Sequence, residues 1–529
     1  MGGSPTVIVV GAGHNGLVAA TFLARAGARV RVFEERAVIG GACRTEKPFA
    51  RAPHLAASTG AYLLGLMPPE LVAKLGIDLP LVRRDPHYFL PTTGDSYLMF
   101  GTDRTATKEQ FLRFFSEQDY RANEAMQAEI ADLRSDLAPT WLSEPLSIED
   151  TAERHVRAAL RATFVALCRG SIGSYLARFD FKSDLLRAMY AVTDGFSGLH
   201  GTWSTPGTGM NFLIHNMCRL PGADGTWMIV RGGMGTVTAR IAQAARLAGA
   251  SIETDRRVER LVVEGGTARG VVLEGGAFLP ADAVVCNADP FRMRDLVARA
   301  DFPETYHQRI DAYRRNGTTM KVNLALREMP EFTCLVRSAE SVRHAARGAF
   351  GPTVHLLPDE RDVIASLEQS YADVNAGRLP EFPTIEWYMH TSVDPTLTDE
   401  EGRHSGALFV QWVPYELSGG KSWDTEQEPY VRHLLSICDR FAPGTSDLVV
   451  DTFTLTPPGI EKHFGITRGH IHHVDNGYGF ADRLPYRTPA AGLYSCSAGT
   501  HPAGSVIGCA GHNAARCVMD DLGLDRGLL

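Results

Sequence analysis

Short unbroken apolar runs alternate along this chain with stretches of helical period. Residues 7–10 (Val-Ile-Val-Val) form one such run, 17–26 suit a helix, and 29–33 read as a second strand. That order predicts a strand–helix–strand unit at the N-terminal end. The C-terminal end has related parts. Residues 492–496 read as a buried strand, a turn of small residues follows, and 509–522 are predicted to be helical.

The pattern between these ends changes twice. Residues 60–75 are strongly apolar and broken by Pro68-Pro69, which predicts a helix, a break and a second helix starting at the prolines. The same stretch suits the wall of an apolar cavity, contact with a membrane surface or, above both, a buried helix pair. From 105 to 200 the chain reads as mostly helical. Met126, Ile130, Leu133 and Leu137 keep one face of a helix over 119–137, which Pro139 ends. Further helices are expected over 151–167, 183–192 and 236–247. Strands are then expected at 251–254, 257–263, 268–273 and 277–280, with a last strand from 284 ending in Asn287-Ala288-Asp289-Pro290. A second series (321–326, 384–390, 407–413, 448–455) predicts a mixed or antiparallel sheet.

Composition narrows the class. The chain has 529 residues, 44% of them hydrophobic and 22% charged, ordinary values for a globular protein of several cores. A net charge of −8 gives no reason to expect a nucleic-acid partner. No apolar run approaches bilayer-spanning length. The first strand starts so early that no targeting peptide is expected, and the cytoplasm is the default location. Nine scattered cysteines, with no C-x-x-C pair, suit free thiols in a reducing compartment and argue against zinc or a redox dithiol. His470, His472 and His473 lie close together, but no matching carboxylate or cysteine spacing accompanies them, so no metal is expected.

The chemistry is concentrated at the first turn, Gly11-Ala12-Gly13-His14-Asn15-Gly16, a G-x-G-x-x-G fingerprint between strand and helix. Gly11 permits the tight turn, Gly13 admits a pyrophosphate, and Gly16 lets the helix pack on the strand. The helix N-terminus faces the phosphates, and Glu34 at the end of the second strand suits a ribose 2′-hydroxyl. Gly40-Gly41 would bring backbone N–H groups to a second anionic part of a ligand, with Arg44 nearby as counter-charge. That extension suits a long FAD better than NAD.

On these residues the chain resembles FAD-dependent oxidoreductases of the phytoene desaturase and amine oxidase superfamily. The Gly232-Gly233-Met234-Gly235 turn, the meander that follows, Thr205-Pro206-Gly207 and the Gly499-Thr500-His501-Pro502 turn extend the likeness over nearly the whole chain. The resemblance implies an α/β fold. A discontinuous Rossmann-like FAD-binding domain (1–85, 225–290, 481–529) would carry an inserted α+β substrate domain (86–224 and 291–480). It also implies that the backbone near Val258 reads the adenine. The turn bearing Gly499, Ser505, Val506 and Ile507 would border the flavin, with small residues and a helix dipole near its pyrimidine carbonyl. Ser497, Ala503 and Ser505 stand where relatives are richer in glycine.

The expected activity is removal of a hydride from a carbon of an apolar or amphipathic small molecule onto flavin N5. Reoxidation would fall to oxygen or a quinone, because no second dinucleotide fingerprint is present. His501, beside the predicted flavin turn, is the first candidate for a catalytic group and His215 the second. A flavin-dependent isomerase or saturase of a polyene-like substrate is the nearest alternative. A non-catalytic interaction protein that retains the FAD fold is the alternative of another class, and an NAD-linked dehydrogenase a third. The aromatic residues Phe196, Trp203, Phe212 and Trp227 suit either a substrate wall or plain core. Oligomeric state is open.

Overall fold

The computed structural model describes residues 4–336, 351–358 and 360–527. Five parallel strands form the first sheet, in the order Leu493–Ser495, Ala283–Cys286, Thr6–Val10, Arg29–Phe33, Ser251–Glu253. Strands from three separated parts of the chain therefore complete one sheet. Val7, Val9, Val284 and Val285 are fully buried within it, as continuous apolar runs in a parallel sheet require. The helices His14–Arg25, Gly235–Leu247 and Cys509–Leu522 cover it, the first packing against both others. Gly511 permits one of these contacts, because a Cβ there would lie 2.1 Å from the Asn15 carbonyl oxygen.

An antiparallel meander, Val258–Glu264, Thr267–Leu273 and Phe278–Pro280, links the helix-and-strand run to Ala283–Cys286. The second large sheet has seven strands in the order Val449–Leu455, Thr319–Leu326, His404–Gln411, Thr384–Met389, Thr353–Leu356, Tyr88–Pro91, Tyr97–Phe100. It is mixed: Tyr88–Pro91 pairs parallel with Thr353–Leu356 and every other pairing is antiparallel. Helices cover one side of the cavity that this sheet faces. Glu117–Leu137 is the longest, its N-terminus capped by Ser116, whose hydroxyl accepts the Asp119 N–H at 3.1 Å. Met126, Ile130, Leu133 and Leu137 are buried along one face, as their spacing predicts.

Two local expectations need correction, and two strands were not anticipated. Residues 60–67 are not helical: Leu64 exchanges both backbone hydrogen bonds with Met228, and only Pro69–Leu75 forms a helix. A side chain on Gly65 would strike Trp227 and Cys218 at 2.6 Å, so close chain approach holds this segment extended. Its apolar residues Leu64, Leu66, Met67 and Leu71 are buried in the core. The single helix expected over 151–167 is two, Ile148–His155 and Arg161–Arg169, separated where Val156 turns extended. Strands Tyr88–Pro91 and Tyr97–Phe100 were not legible as members of the large sheet, because Tyr88–Pro91, with Tyr97–Phe100 beside it, joins that sheet through Thr353–Leu356, more than 250 residues away.

All nine cysteines are buried, and no disulfide joins them. Among the described residues, no helix is long and apolar enough to cross a membrane, and no group of side chains could hold a metal ion.

Candidate active site

One cavity of about 1070 Å³ runs from the fingerprint turn to the large sheet. At one end, Gly11 takes φ +95° and its N–H donates to the Phe33 carbonyl at 2.8 Å, closing the turn between the first two strands. Gly16 has no room for a side chain: a Cβ would lie 2.2 Å from the Gly11 oxygen. Glu34 lies in the cavity wall and accepts the N–H of Ala12 at 2.8 Å and of Arg36 at 3.0 Å. Burial raises its carboxyl pKa, opposed by those two bonds. The Gly40 N–H donates to the Ala12 carbonyl at 2.9 Å, tying the second glycine pair to the first turn.

Arg44 is engaged on several sides. Its Nη2 approaches His463 Nε2 at 2.6 Å, its Nε lies 3.2 Å from Glu46, and it stacks over Phe464. Burial disfavours the charge on Glu46, yet His463, Thr59 and Arg44 together outweigh that and hold its pKa down at about 2.

The structure's own features suit FAD at this end. The helix starting at His14 has no side-chain cap, so its first N–H groups face the cavity unmet. His14 Nε2 and Asn15 Oδ1 are buried without hydrogen-bond partners, and both residues line the cavity. Such orphaned polar atoms around a positive helix end fit a diphosphate and its linked sugars.

At the other end the cavity floor is one register row of the large sheet. Lys321 lies opposite Phe409, Phe409 opposite Glu386, and Glu386 opposite His355. Directly opposed residues share a face, and all four line the cavity. Adjacent strands lie about 4.8 Å apart, so Lys321 and Glu386 start from backbones about 10 Å apart with Phe409 between them. They form no ion pair.

Burial is the largest influence on each. It lowers the Lys321 pKa to about 7, opposed by Glu386, and raises the Glu386 pKa to about 8. The Lys321 ammonium sits against the Tyr62 and Phe409 rings. Glu386 accepts hydrogen bonds from the Tyr388 hydroxyl and from Gln411 Nε2 at 3.4 Å, while Gln411 Oε1 accepts the Gly198 N–H.

Helical residues form the opposite wall. After Asp184–Tyr190 the helix widens into a π-turn, Ala191–Gly195, from which Thr193 and Asp194 both reach the cavity. Burial raises the Asp194 pKa to about 7, against a hydrogen bond from Asn216. His215 Nδ1 lies 3.0 Å from the Asp194 carbonyl and 3.1 Å from that of Asn211. Both contacts accept, so Nδ1 carries the proton and Nε2 keeps a lone pair. Burial lowers the His215 pKa to about 4. The cavity reaches solvent beyond this wall, at the exposed residues Glu124, Gln127, Ala131 and Asp224.

The predicted site residues separate cleanly by position. Gly11, Gly13, Glu34, Gly40, Gly41, Arg44, Val258, Ser505, Val506 and His215 line the cavity. Gly16, Gly499, Ile507 and His501 are not among the lining residues. Gly16 acts in packing, the Gly499 N–H donates to Ser497 Oγ at 3.1 Å, and Ile507 is core. His501 is shut away beside Phe480, its Nε2 3.1 Å from the Thr140 carbonyl. Of the aromatic group, Phe196 and Phe212 are core and Trp227 lines the cavity.

Sequence reasoning missed Tyr62, Arg84, Asp194, Lys321, His355, Glu386 and Tyr388. Two of them carried a signal: Lys321 and Glu386 are charges inside strands otherwise read as buried (Met-Lys-Val and Ile-Glu-Trp).

A dinucleotide-type turn opening into a large cavity with buried titratable groups is the layout of an oxidoreductase that binds a nucleotide cofactor. Residues 16–333 match the model of the family "Flavin containing amine oxidoreductase", and the chain belongs to that family, with FAD as its cofactor. It is similar to "Pyridine nucleotide-disulfide oxidoreductase domain-containing protein 2" of Mus musculus, 33% identical over 97% of this chain and 93% of the relative. It is also similar to hydroxyneurosporene desaturase of Cereibacter sphaeroides, 27% identical over 98% of both chains. Among solved structures, an oxidoreductase from Methanosarcina mazei shares the fold, with TM-score 0.61 and 17% identity over 97% of this chain and all of that one.

Proposed function

We propose that this enzyme removes a hydride from a carbon of an amphipathic small molecule and delivers it to FAD. One observation carries the reading: the fingerprint turn and the Lys321–Phe409–Glu386–His355 row line a single continuous cavity. Bound FAD supplies the two-electron acceptor, which no side chain here can replace. Gly11, Gly13 and the N-terminus of the first helix would hold its diphosphate and Glu34 its ribose. Val258 would lie at the adenine, and Gly40, Gly41, Ser505 and Val506 along the rest. On this reading 1–85, 225–290 and 481–529 would form the cofactor domain, with Tyr62, Arg84 and Trp227 reaching from it into the substrate chamber, and the remaining parts would form the substrate domain.

The chain's own groups would position the substrate and handle its proton. Tyr62, Tyr388, Phe409 and Trp227 give the chamber apolar faces that exclude water. Lys321, with a pKa near neutrality, can take a proton from a substrate O–H or N–H as its carbon gives up hydride. His215 offers a second acceptor at Nε2 on the opposite wall. His501, enclosed in the core, is given no part in this. Charged groups among aromatic rings favour an amphipathic over a wholly apolar substrate, and the kinship with a desaturase supports oxidation at carbon. Oxygen or a quinone would complete the cycle.

Anaerobic mixing of the FAD-loaded protein with amines, polyenes and hydroxylated lipids tests this reading. Loss of the oxidised flavin band, with a product two hydrogens poorer, is expected for a substrate. Turnover of a polyene to an isomer with no net flavin reduction would replace the proposal with an isomerase.

A further inference from the structure

This mechanism leaves Arg84 unused. It lines the cavity, yet its residue is only 4% exposed. Its Nε and Nη2 donate to the Trp227 carbonyl at 3.2 and 3.1 Å, and its Nη1 donates to Thr353 Oγ1 at 2.6 Å. Every one of these acceptors is neutral. A guanidinium has five N–H groups, so one on Nη1 and one on Nη2 remain. Among the described residues no carboxylate forms an ion pair with it. Glu386 acts on it only through space, from a carboxyl hydrogen-bonded to Tyr388 and Gln411, and Asp194 is held by Asn216.

A buried, permanently charged group without a counter-charge is costly, and proteins ordinarily pair it. Here three hydrogen bonds fix the guanidinium in place instead. That is the arrangement of a preformed half-site, whose missing half is an anion.

A second atom faces the same spot. Thr353, which anchors Arg84, lies two residues from His355 on one face of one strand. His355 Nε2 is buried with no hydrogen-bond partner, and His355 also lines the cavity. Its Nδ1 lies 3.2 Å from Thr193 Oγ1. Thr193 Oγ1 gives its own proton to the Met189 carbonyl, so Nδ1 donates to it and the unpartnered Nε2 keeps a lone pair, which takes no part in holding an anion. At the opposite end of the row, the aromatic faces of Tyr62 and Phe409 that could take a ligand ammonium already hold Lys321.

We propose that the substrate carries a carboxylate, which Arg84 binds with its two remaining N–H groups. Resting on the reading that Lys321 serves the reacting carbon, the register adds a distance. The His355 strand lies three strands from the Lys321 strand, about 14 Å of sheet. The carboxylate is therefore several carbons away from the carbon oxidised, and the substrate is an amphipathic acid rather than an amine or an uncharged hydrocarbon.

Binding to the FAD-loaded protein tests this without knowing the substrate. Phenylbutyrate, phenylbutyramide and phenylbutylamine share a skeleton and differ in head group. Calorimetry is expected to show the carboxylate binding at least tenfold more tightly than the amide or the amine. In Arg84→Gln that preference should vanish while FAD content stays at the wild-type level. In His355→Leu it should persist, because His355 offers the anion no N–H.

Equal affinity for acid and amide, no binding by phenylbutyrate, benzoate or decanoate, or an undiminished preference in Arg84→Gln would each overturn the proposal. Should Arg84→Gln fail to fold, the head-group comparison on the unaltered protein decides alone. Carboxylate binding without flavin reduction by any donor would sink the oxidoreductase mechanism and leave the Arg84 site standing. Reduction by donors without carboxylate binding would do the reverse.

Discussion

Lys321 Nζ lies 4.0 Å from the centroid of the Tyr62 ring and 4.2 Å from that of Phe409. The two π-faces offset part of what burial costs the ammonium, and no carboxylate does so directly. A lysine held in this way exchanges its proton near neutral pH.

Replacement of Lys321 by Met is therefore expected to slow flavin reduction by about a hundredfold or more, the usual worth of a proton acceptor. In the wild-type enzyme the reduction rate should rise with pH through about 7, as Lys321 loses its proton. That rise should be absent in Lys321→Met. Lys321→Arg should not restore it, because a guanidinium stays protonated. Anaerobic stopped-flow measurements across pH check all three points.

Glu386 gives a stability prediction of defined sign. Its folded pKa, about 8, stands above the ordinary 4.5, so the folded state keeps a proton that the unfolded state loses. The contribution is fully present below pH 4.5 and is lost as pH rises through about 8. Glu386→Gln removes this dependence, its amide turning its oxygen to Gln411 and its N–H to Tyr388. The melting temperature of the variant relative to wild type should climb from pH 4.5 to pH 8. A constant difference across that window would contradict the protonated Glu386.

Glu34 holds two backbone N–H groups, those of Ala12 and Arg36. Glu34→Ala leaves both without their acceptor, each costing about 1–3 kcal/mol if it stays buried. The fingerprint turn should loosen and FAD affinity should fall about tenfold to a hundredfold, read by titrating apoprotein with FAD and following flavin fluorescence. Wild-type apoprotein should gain about 2.7 kcal/mol of stability from FAD at a hundred times its Kd.

Two glycines of one motif should fail differently. A Cβ on Gly16 meets a backbone oxygen at 2.2 Å, which cannot move without parting helix from strand. Gly16→Ala should cost about 3 kcal/mol or more and yield little soluble protein. A Cβ on Gly13 meets only the Asn287 side-chain amide at 2.7 Å, which can turn aside. Gly13→Ala should fold, melt near the wild-type temperature as apoprotein, and bind FAD poorly because the cofactor's approach is blocked.

Much of the architecture is legible in the amino-acid sequence. The strand–helix–strand opening needs only local chemistry: the apolar run at 7–10, three glycines and an acid at 34 each act within one short segment. Helix Cys509–Leu522 and the four strands at 321–326, 384–390, 407–413 and 448–455 are legible for the same reason, since periodicity is local. Where the sequence misleads, a distant partner decides. Residues 60–67 look helical from composition, but Leu64 pairs with Met228. His501 looks catalytic from its place beside a glycine turn, while its ring is enclosed against Thr140 and Phe480.

The sequence by itself determined the strand–turn–helix opening of the cofactor end and the acid at Glu34, because those parts lie within one contiguous stretch. Only the tertiary structure decided what lines the far end of the cavity. Tyr62, Arg84, Asp194, Lys321, His355 and Glu386 come from six distant places, and long-range strand register sets four residues of the chamber in one row. A register is a relation between strands, and no single strand's sequence contains it.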